Sequence, residues 1–187
     1  MSHVPRLIII GGPPGSGKTA LARALAAHVT LPLMSKDMIK ESLFDHLGWH
    51  DRAWSMRLGR ASIALLFQFA EAALTAGQSC IIECNFDPQM GARDVMALHA
   101  HCRFTPIQIV CWARPEMLVE RLERRARSGE RHPGHIEADL KLTLANVPAR
   151  LGPLDIGGHV FEVDTTDFTR VDYSRLFGEV ARLLRAP

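Results

Sequence analysis

Short apolar runs of strand length alternate along the chain with longer stretches in which apolar side chains recur every three or four residues. Leu7-Ile8-Ile9-Ile10 is unbroken by polar positions, as expected of a strand buried on both faces. After a glycine-rich break, Leu21, Leu25, His28 and Val29 recur at helical spacing. A short second strand is expected around 31–34, followed by Ser35-Lys36-Asp37 and a helix through Leu47. Ile63, Leu66, Phe67, Ala70 and Leu74 form the longest stripe, in a helix from Ala53 to Ala76 that Gly77 is placed to end. Ser79 to Glu83 and Pro106 to Trp112 predict the third and fourth strands, and Pro115 suits the first residue of a helix reaching about Ser128. Val160 to Val163 predicts a fifth strand, and Leu176, Val180, Leu183 and Leu184 a closing helix.

This alternation predicts an α/β fold, with one five-stranded parallel sheet covered by helices on both faces. The 187 residues suit a single domain, 1–187, with no internal repeat and no low-complexity tract. The one long irregular stretch, 128–135, reads as a mobile flap rather than a linker. Ligands of such sheets sit at the carboxyl ends of the strands, so the residues just after each strand carry the most information.

After the first strand stands Gly12-Pro13-Pro14-Gly15-Ser16-Gly17-Lys18-Thr19, which fits G-x-x-x-x-G-K-[ST] at every required position. Its context, a strand before and a helix after, is the one in which the motif binds phosphates. The glycines let backbone N–H groups turn inward, Lys18 reaches the β- and γ-phosphates, and the Thr19 hydroxyl ligates Mg²⁺. A nucleoside triphosphate is the expected ligand, with Gly12 through Thr19 as its cradle.

The second strand is followed by Asp37, which either caps the next helix, as Ser35 could, or accepts a proton from a substrate hydroxyl beside the phosphates. Spacing alone leaves both readings open. Lys40 lies one helical turn on and shares that face, where it could neutralise substrate charge. After the third strand come Glu83-Cys84-Asn85-Phe86-Asp87-Pro88. Glu83 stands where P-loop enzymes hold Mg²⁺, in this case through water, while Asp87-Pro88 also fits a plain turn before a helix. Between Arg114 and Arg131, arginines alternate with glutamates, and most read as Glu–Arg pairs on a solvated helix. Arg121, Arg124, Arg125 and Arg131 surround Ser128-Gly129-Glu130 ahead of His132-Pro133-Gly134-His135, as in a glycine-hinged phosphate lid, open without ligand.

Composition narrows the partners. A net charge of +2 and 6% aromatic residues argue against a nucleic-acid groove, which needs clustered cations and stacking partners. No apolar run approaches a membrane span. Cys80, Cys84, Cys102 and Cys111 form no C-x-x-C pair and mostly fall on apolar runs, as buried small hydrophobes do. With no secretory signal pattern at the start, a cytoplasmic protein is expected.

Together the loop, the Ser-Lys-Asp-Met-Ile-Lys-Glu segment, the Glu-Cys-Asn-Phe-Asp-Pro segment and the arginine-rich lid resemble the P-loop kinase family that includes the nucleoside monophosphate kinases. In particular they look like its branch of small AAA kinases, which includes polynucleotide 5′-kinase, chloramphenicol phosphotransferase and the zeta toxins. The resemblance implies a P-loop NTPase fold with a short lid at about 128–135 and an ATP- and Mg²⁺-dependent transfer of the γ-phosphate to a hydroxyl. It implies that Asp37 is the general base, and that Asp164-Thr165-Thr166-Asp167 lies over the adenine, with Thr165 and Thr166 in contact. Lys40 falls where polynucleotide kinase has an arginine, and lysine forgoes bidentate phosphate recognition. The expected activity is therefore a kinase acting on a small molecule. Lys18, Asp37, Arg121, Arg125 and Arg131 are its catalytic groups, Thr19 and Glu83 the metal residues, and Asp37, Lys40 and Asn85 face the acceptor. Trp49, Trp54 and Arg57 are expected to wall the acceptor pocket. A polynucleotide 5′-hydroxyl kinase and a non-catalytic nucleotide-binding module are the alternatives.

Overall fold

Leu7, Ile8, Ile9 and Ile10 are all buried because β1 (Arg6–Gly11) runs through the centre of the sheet. The computed structural model describes residues 4–129, 131–135 and 150–186. Within them β2 (Leu33–Ser35), β3 (Cys80–Glu83), β4 (Thr105–Trp112) and β5 (His159–Asp164) join β1 in the order β2-β3-β1-β4-β5, each neighbouring pair parallel. The helices are α1 (Lys18–Val29), α2 (Lys36–Leu47), α3 (Arg52–Thr75), α4 (Pro88–His101), α5 (Pro115–Ser128) and α6 (Tyr173–Arg185), with a 3₁₀ turn at Phe168–Arg170.

Successive side chains of a strand point to opposite faces, and β1 feeds two cores. Leu7 and Ile9 pack with Leu66, Ala70 and Leu74 of α3 and Val95 and Leu98 of α4. Ile8 and Ile10 pack with Leu21 and Leu25 of α1 and Val180 and Leu183 of α6. Each such side chain contributes about 1.5–3 kcal/mol by leaving water, and an alternating strand could have served only one face. All four cysteines are free and buried among these groups.

Local chemistry sets the helix ends. Asp87 is a cap as well as a turn residue, its carboxylate accepting from the N–H of Gln89 and Met90 at 3.0 and 2.9 Å, and Pro88 and Pro115 open α4 and α5. Gly77, with a φ of 74°, follows α3 in the left-handed conformation that ends helices. β2 begins at Leu33, two residues later than the apolar run predicts. Pro32 has no N–H for the ladder and gives only its carbonyl, to the Ile81 N–H at 2.9 Å. Arg6, which the hydrophobic pattern passes over, is buried and ties the chain end to the sheet. Its Nε donates to Leu183 O at 3.2 Å, Nη1 to Thr105 Oγ1 at 2.8 Å and Nη2 to Ala186 O at 2.8 Å.

The ladder places the site. Ile10 pairs with Glu83 and Glu83 with Ser35, so the loops after β1, β3 and β2 leave the sheet side by side. The first of them depends on Gly12, whose φ is 148° and where a Cβ would stand 2.4 Å from the Cys111 carbonyl oxygen. Gly12→Ala is expected to destabilise the chain by about 1–3 kcal/mol. Urea denaturation would show this as a lower midpoint at unchanged slope, and an unchanged midpoint would contradict the close approach.

Candidate active site

The loop after β1 curls back on itself because its glycines adopt conformations closed to other residues. Gly15 has a φ of 83°, and a Cβ there would stand 2.9 Å from Leu118 O; Gly17 has a φ of 76°, with the Phe168 ring 2.4 Å from the place of its Cβ. Lys18 opens α1, its Nζ 3.5 Å from Pro13 O and 3.9 Å from Glu83 Oε1. A buried ammonium held this loosely is available to a phosphate. Ser16 Oγ is buried and has no hydrogen-bond partner among the described residues. An orphaned hydroxyl inside a glycine cradle fits an anionic ligand seated in the loop.

Glu83 is 2% exposed, an ionisable group tolerated in the interior because hydroxyls surround it. Ser35 Oγ donates to its Oε2 at 2.7 Å and Thr19 Oγ1 to the same oxygen at 3.2 Å. Ser35 occupies the N-cap position of α2 but its side chain makes no cap, since the hydroxyl is committed to Glu83. A hydroxyl and a carboxylate oxygen are hard donors of the kind Mg²⁺ accepts when waters and phosphates complete the shell. Such a site needs no cage of protein ligands, and no cluster of three or more His, Cys, Asp or Glu suited to a metal occurs among the described residues.

Asp37 lies in the first turn of α2, half-buried, with Lys36 Nζ 3.2 Å from its Oδ1. Burial works to raise its pKa, but the charges of Lys36, Lys18 and His135 outweigh that and bring it down to about 2. It is a carboxylate at any physiological pH. No cap bond from Asp37 is present among the hydrogen bonds of α2, and its side chain lines a cleft instead.

That cleft, of about 690 Å³, runs along the carboxyl edge of the sheet, a size usual for small-ligand sites. Its floor is Pro14, Gly15, Gly17, Lys18 and Thr19; Lys36, Asp37, Lys40 and Arg52 form one wall, Arg121, Leu122, Arg124, Arg125 and Ser128 the other. Asn85, Arg131, His135 and Phe168 complete it. Lys40 is buried and donates to Ser55 Oγ of α3 at 2.8 Å. The acceptor wall predicted from Trp49, Trp54 and Arg57 is a different one, because none of the three lines the cleft. Trp54 Nε1 donates to Gly48 O at 2.9 Å and the Trp49 ring meets His132 edge-on, so both tryptophans finish the α2–α3 corner. The sequence pattern assigns Arg52 and Phe168 no role, while Lys36 and His135 enter it only as members of the segment after β2 and of the expected lid.

On the β5 side both threonine hydroxyls are engaged within the protein. Thr165 is fully buried, its hydroxyl 2.8 Å from both Ser16 O and Trp112 O and able to donate to either. Thr166 Oγ1 accepts from the Arg114 N–H at 3.0 Å. Arg121 is likewise engaged with the protein. Nη1 donates to Gly15 O at 3.3 Å, Nη2 to Thr165 O and Thr166 O at 2.7 and 3.0 Å, and the guanidinium stacks 4.0 Å from the Phe168 ring centroid. It joins the phosphate loop to the loop after β5, leaving Arg124, Arg125 and Arg131 as the arginines facing the cleft from the lid side. Arg127 pairs with Glu123 at 3.2 Å, as predicted for a solvated face.

The stretch expected to form the lid has contacts of its own. Glu130 lies outside the described residues, but residues 131–135 are seated on α2. Gly134 packs so closely that a Cβ would stand 2.6 Å from the Phe44 ring, and His132 stacks on that ring with centroids 5.1 Å apart. His132 Nε2 lies 3.1 Å from Asp45 Oδ1 and His135 Nε2 3.2 Å from Glu41 Oε1. Gly134 thus provides close approach rather than a hinge; Gly129, with a φ of 71°, caps α5. Burial pushes the His135 imidazole down from 6.5 to about 3, with Arg131, Lys40 and Lys36 acting the same way and Asp37 opposing them. The unfolded ring takes a proton near 6.5 and the folded one only near 3, so this contribution is present above 6.5 and lost as the pH falls towards 3. Between those values the native chain should lose up to about 1.4 kcal/mol per pH unit more than His135→Gln. Urea midpoints of both against pH would show it, and parallel curves would contradict a buried neutral ring.

The strand, the glycine cradle with Lys18 and Thr19, and the acid ending the neighbouring strand define a P-loop nucleotide-binding protein. The chain belongs to the AAA domain family, whose profile matches residues 7–148, and within it to the P-loop kinases. It is 42% identical to a candidate kinase from Chloroflexus aurantiacus, with a TM-score of 0.90 over 98% of this chain and all of that one (100%). Kti12 of Chaetomium thermophilum, solved with ADP-AlF3, has a TM-score of 0.67 at 18% identity, covering 96% of this chain and 100% of that one; a gluconokinase from Sinorhizobium meliloti has 0.57 at 15%, covering 97% and 95%. These two share the fold. The uncharacterized protein Rv2004c of Mycobacterium tuberculosis is 29% identical over 143 residues. That match takes in 72% of this chain but only 28% of the longer relative. Among the described residues no helix is long and apolar enough to cross a membrane.

Proposed function

We propose that this chain is an ATP-dependent kinase that phosphorylates a hydroxyl of a small molecule. The observation that carries the reading is one cleft joining Lys18 and Thr19 of the phosphate loop to the ionised Asp37 on the opposite wall. Backbone N–H groups of Gly12 to Thr19 and the Lys18 ammonium hold the triphosphate. Phe168, 38% exposed beside Gly17 and stiffened by Arg121, offers a face for the base. Thr19 would hold Mg²⁺ directly and Glu83 through water; the ion would neutralise charge on the β- and γ-phosphates.

Asp37 orients the acceptor hydroxyl. As its oxygen bonds to the γ-phosphorus, the bond to the β-bridging oxygen breaks, ADP leaves, and the hydroxyl proton passes to the carboxylate. A carboxylate with so low a pKa takes the proton late, when the O–P bond has made the hydroxyl acidic. Arg124, Arg125 and Arg131 face the same space and would neutralise the transferring group. Lys40 and Asn85 face the acceptor from α2 and the β3 loop. The near-neutral chain and the bounded cleft favour a small acceptor over a nucleic-acid end. Labelled ATP offered with nucleosides, sugars, antibiotics and a 5′-hydroxyl oligonucleotide tests this. Label on a small molecule is expected, and efficient end-labelling of the oligonucleotide would overturn the acceptor class while keeping the kinase.

A further inference from the structure

His132-Pro133-Gly134-His135, to which the proposed chemistry gives no task, is built to grip α2. The His135 N–H donates to His132 O at 3.0 Å, closing a turn with Pro133 and Gly134 at its corner. The two rings straddle Phe44, one stacked at 5.1 Å and the other edge-on at 5.5 Å between centroids. Asp37, Glu41 and Asp45 follow one another at four-residue steps along α2, hence on one face. The turn engages the last two, His132 Nε2 standing 3.1 Å from Asp45 Oδ1 and His135 Nε2 3.2 Å from Glu41 Oε1. His135 is thereby placed about one helical turn, roughly 5–6 Å, from Asp37, and it lines the same cleft.

The contact with Glu41 also fixes which nitrogen carries the proton. A carboxylate only accepts, so Nε2 donates, and Nδ1 of the neutral ring keeps its lone pair. Nδ1 has no partner among the described residues, although the side chain is only 5% exposed. A buried acceptor left open beside a cleft fits a ligand that brings a donor. That donor is uncharged, because Arg131, Lys40 and Lys36 all act on His135 as cations and would repel an ammonium. On the proposed reading, on which this inference rests, Asp37 meets the hydroxyl that is phosphorylated. Hydrogen bonds of about 2.8 Å from two groups one turn apart converge on substituents of neighbouring carbons.

We infer that the acceptor carries a second hydroxyl on the carbon next to the one that is phosphorylated, and that His135 Nδ1 accepts a hydrogen bond from it while Asp37 engages the reacting hydroxyl. His135 is on this reading a specificity-determining residue. It exchanges no proton in the transfer.

The test is transfer of label from γ-labelled ATP, with Mg²⁺, to sugars, nucleosides and simple diols, the labelled position being mapped in each product. The corresponding compound lacking the hydroxyl next to that position is then compared. The wild type is expected to phosphorylate this deoxy compound about tenfold more slowly. His135→Phe, which keeps a ring against Phe44 but has no nitrogen, should slow the parent compound by a similar factor and leave the deoxy compound unchanged, so that the two losses do not add. A merely structural role for His135 would slow both compounds alike. His135→Ala repeats the comparison without a ring if the phenyl group is not accommodated, and binding of a non-hydrolysable ATP analogue at wild-type affinity shows that each variant is folded. Label on a compound with no neighbouring hydroxyl, equal rates on parent and deoxy compounds, or additive losses overturn the inference and leave the kinase standing. Label on no small molecule would remove the proposed function itself, and this inference with it.

Discussion

Asp37→Asn is expected to lower kcat by roughly 10²–10⁴-fold, the usual worth of a positioned general base, while leaving ATP affinity nearly unchanged. The substitution keeps the shape of the side chain and removes its charge. Asp37 is paired with Lys36 and stands off the loop that cradles the phosphates, so nucleotide binding loses little. Loss of the carboxylate leaves the acceptor hydroxyl without a group to orient it or take its proton. Because the pKa of Asp37 is about 2, its protonation should leave no acidic fall in rate near neutrality. Calorimetry with ATP–Mg²⁺ and steady-state kinetics on the identified acceptor separate the two effects, and near-normal turnover by the variant would reduce Asp37 to a surface carboxylate of α2.

Lys18→Ala is expected to weaken ATP–Mg²⁺ binding by on the order of 10–10²-fold, the value of one or two charge-assisted hydrogen bonds. In the free chain Lys18 makes only a 3.5 Å contact to Pro13 O and lies 3.9 Å from Glu83, so little structure rests on it. Glu83 keeps its hydroxyl donors, Ser35 and Thr19, which limits the loss of stability. Calorimetric titration together with a melting curve would check both halves. Unaltered affinity would mean that phosphates do not occupy this loop.

What the sequence revealed and what it hid follow from range. Gly12 to Thr19 is a local motif whose geometry is dictated by its own glycines, and the unbroken run before it could only be a strand buried twice. Glu83, Asp37 and Lys40 were found because parallel sheets bring strand ends together, a rule that needs no side-chain detail. Direction was harder to read. Nothing in Asp164-Thr165-Thr166-Asp167 says that the Thr165 hydroxyl turns inward to Ser16 O and Trp112 O, or that Phe168 three residues later covers Gly17. Arg121 looked like its neighbours on α5, yet it alone reaches the carbonyls of Gly15, Thr165 and Thr166. Arg52 had a faint signal, a cation opening a helix against its dipole, but its place in the cleft depends on how α3 folds back on α2. Gly134 reads as a hinge in the sequence, whereas in the fold it is the residue that lets the chain touch Phe44.

The central claim is that one cleft binds ATP and passes its γ-phosphate to an acceptor hydroxyl under the control of Asp37. The most direct test is the fate of the label when γ-labelled ATP and Mg²⁺ are given to the wild-type chain and to Asp37→Asn with the same panel of hydroxyl compounds, carboxylated and phosphorylated members included. The prediction is a labelled product formed one for one with ADP by the wild type, and formed at least about 10²-fold more slowly by the variant. Release of the label only as free phosphate, at equal rates from both proteins and whatever compound is added, would contradict it.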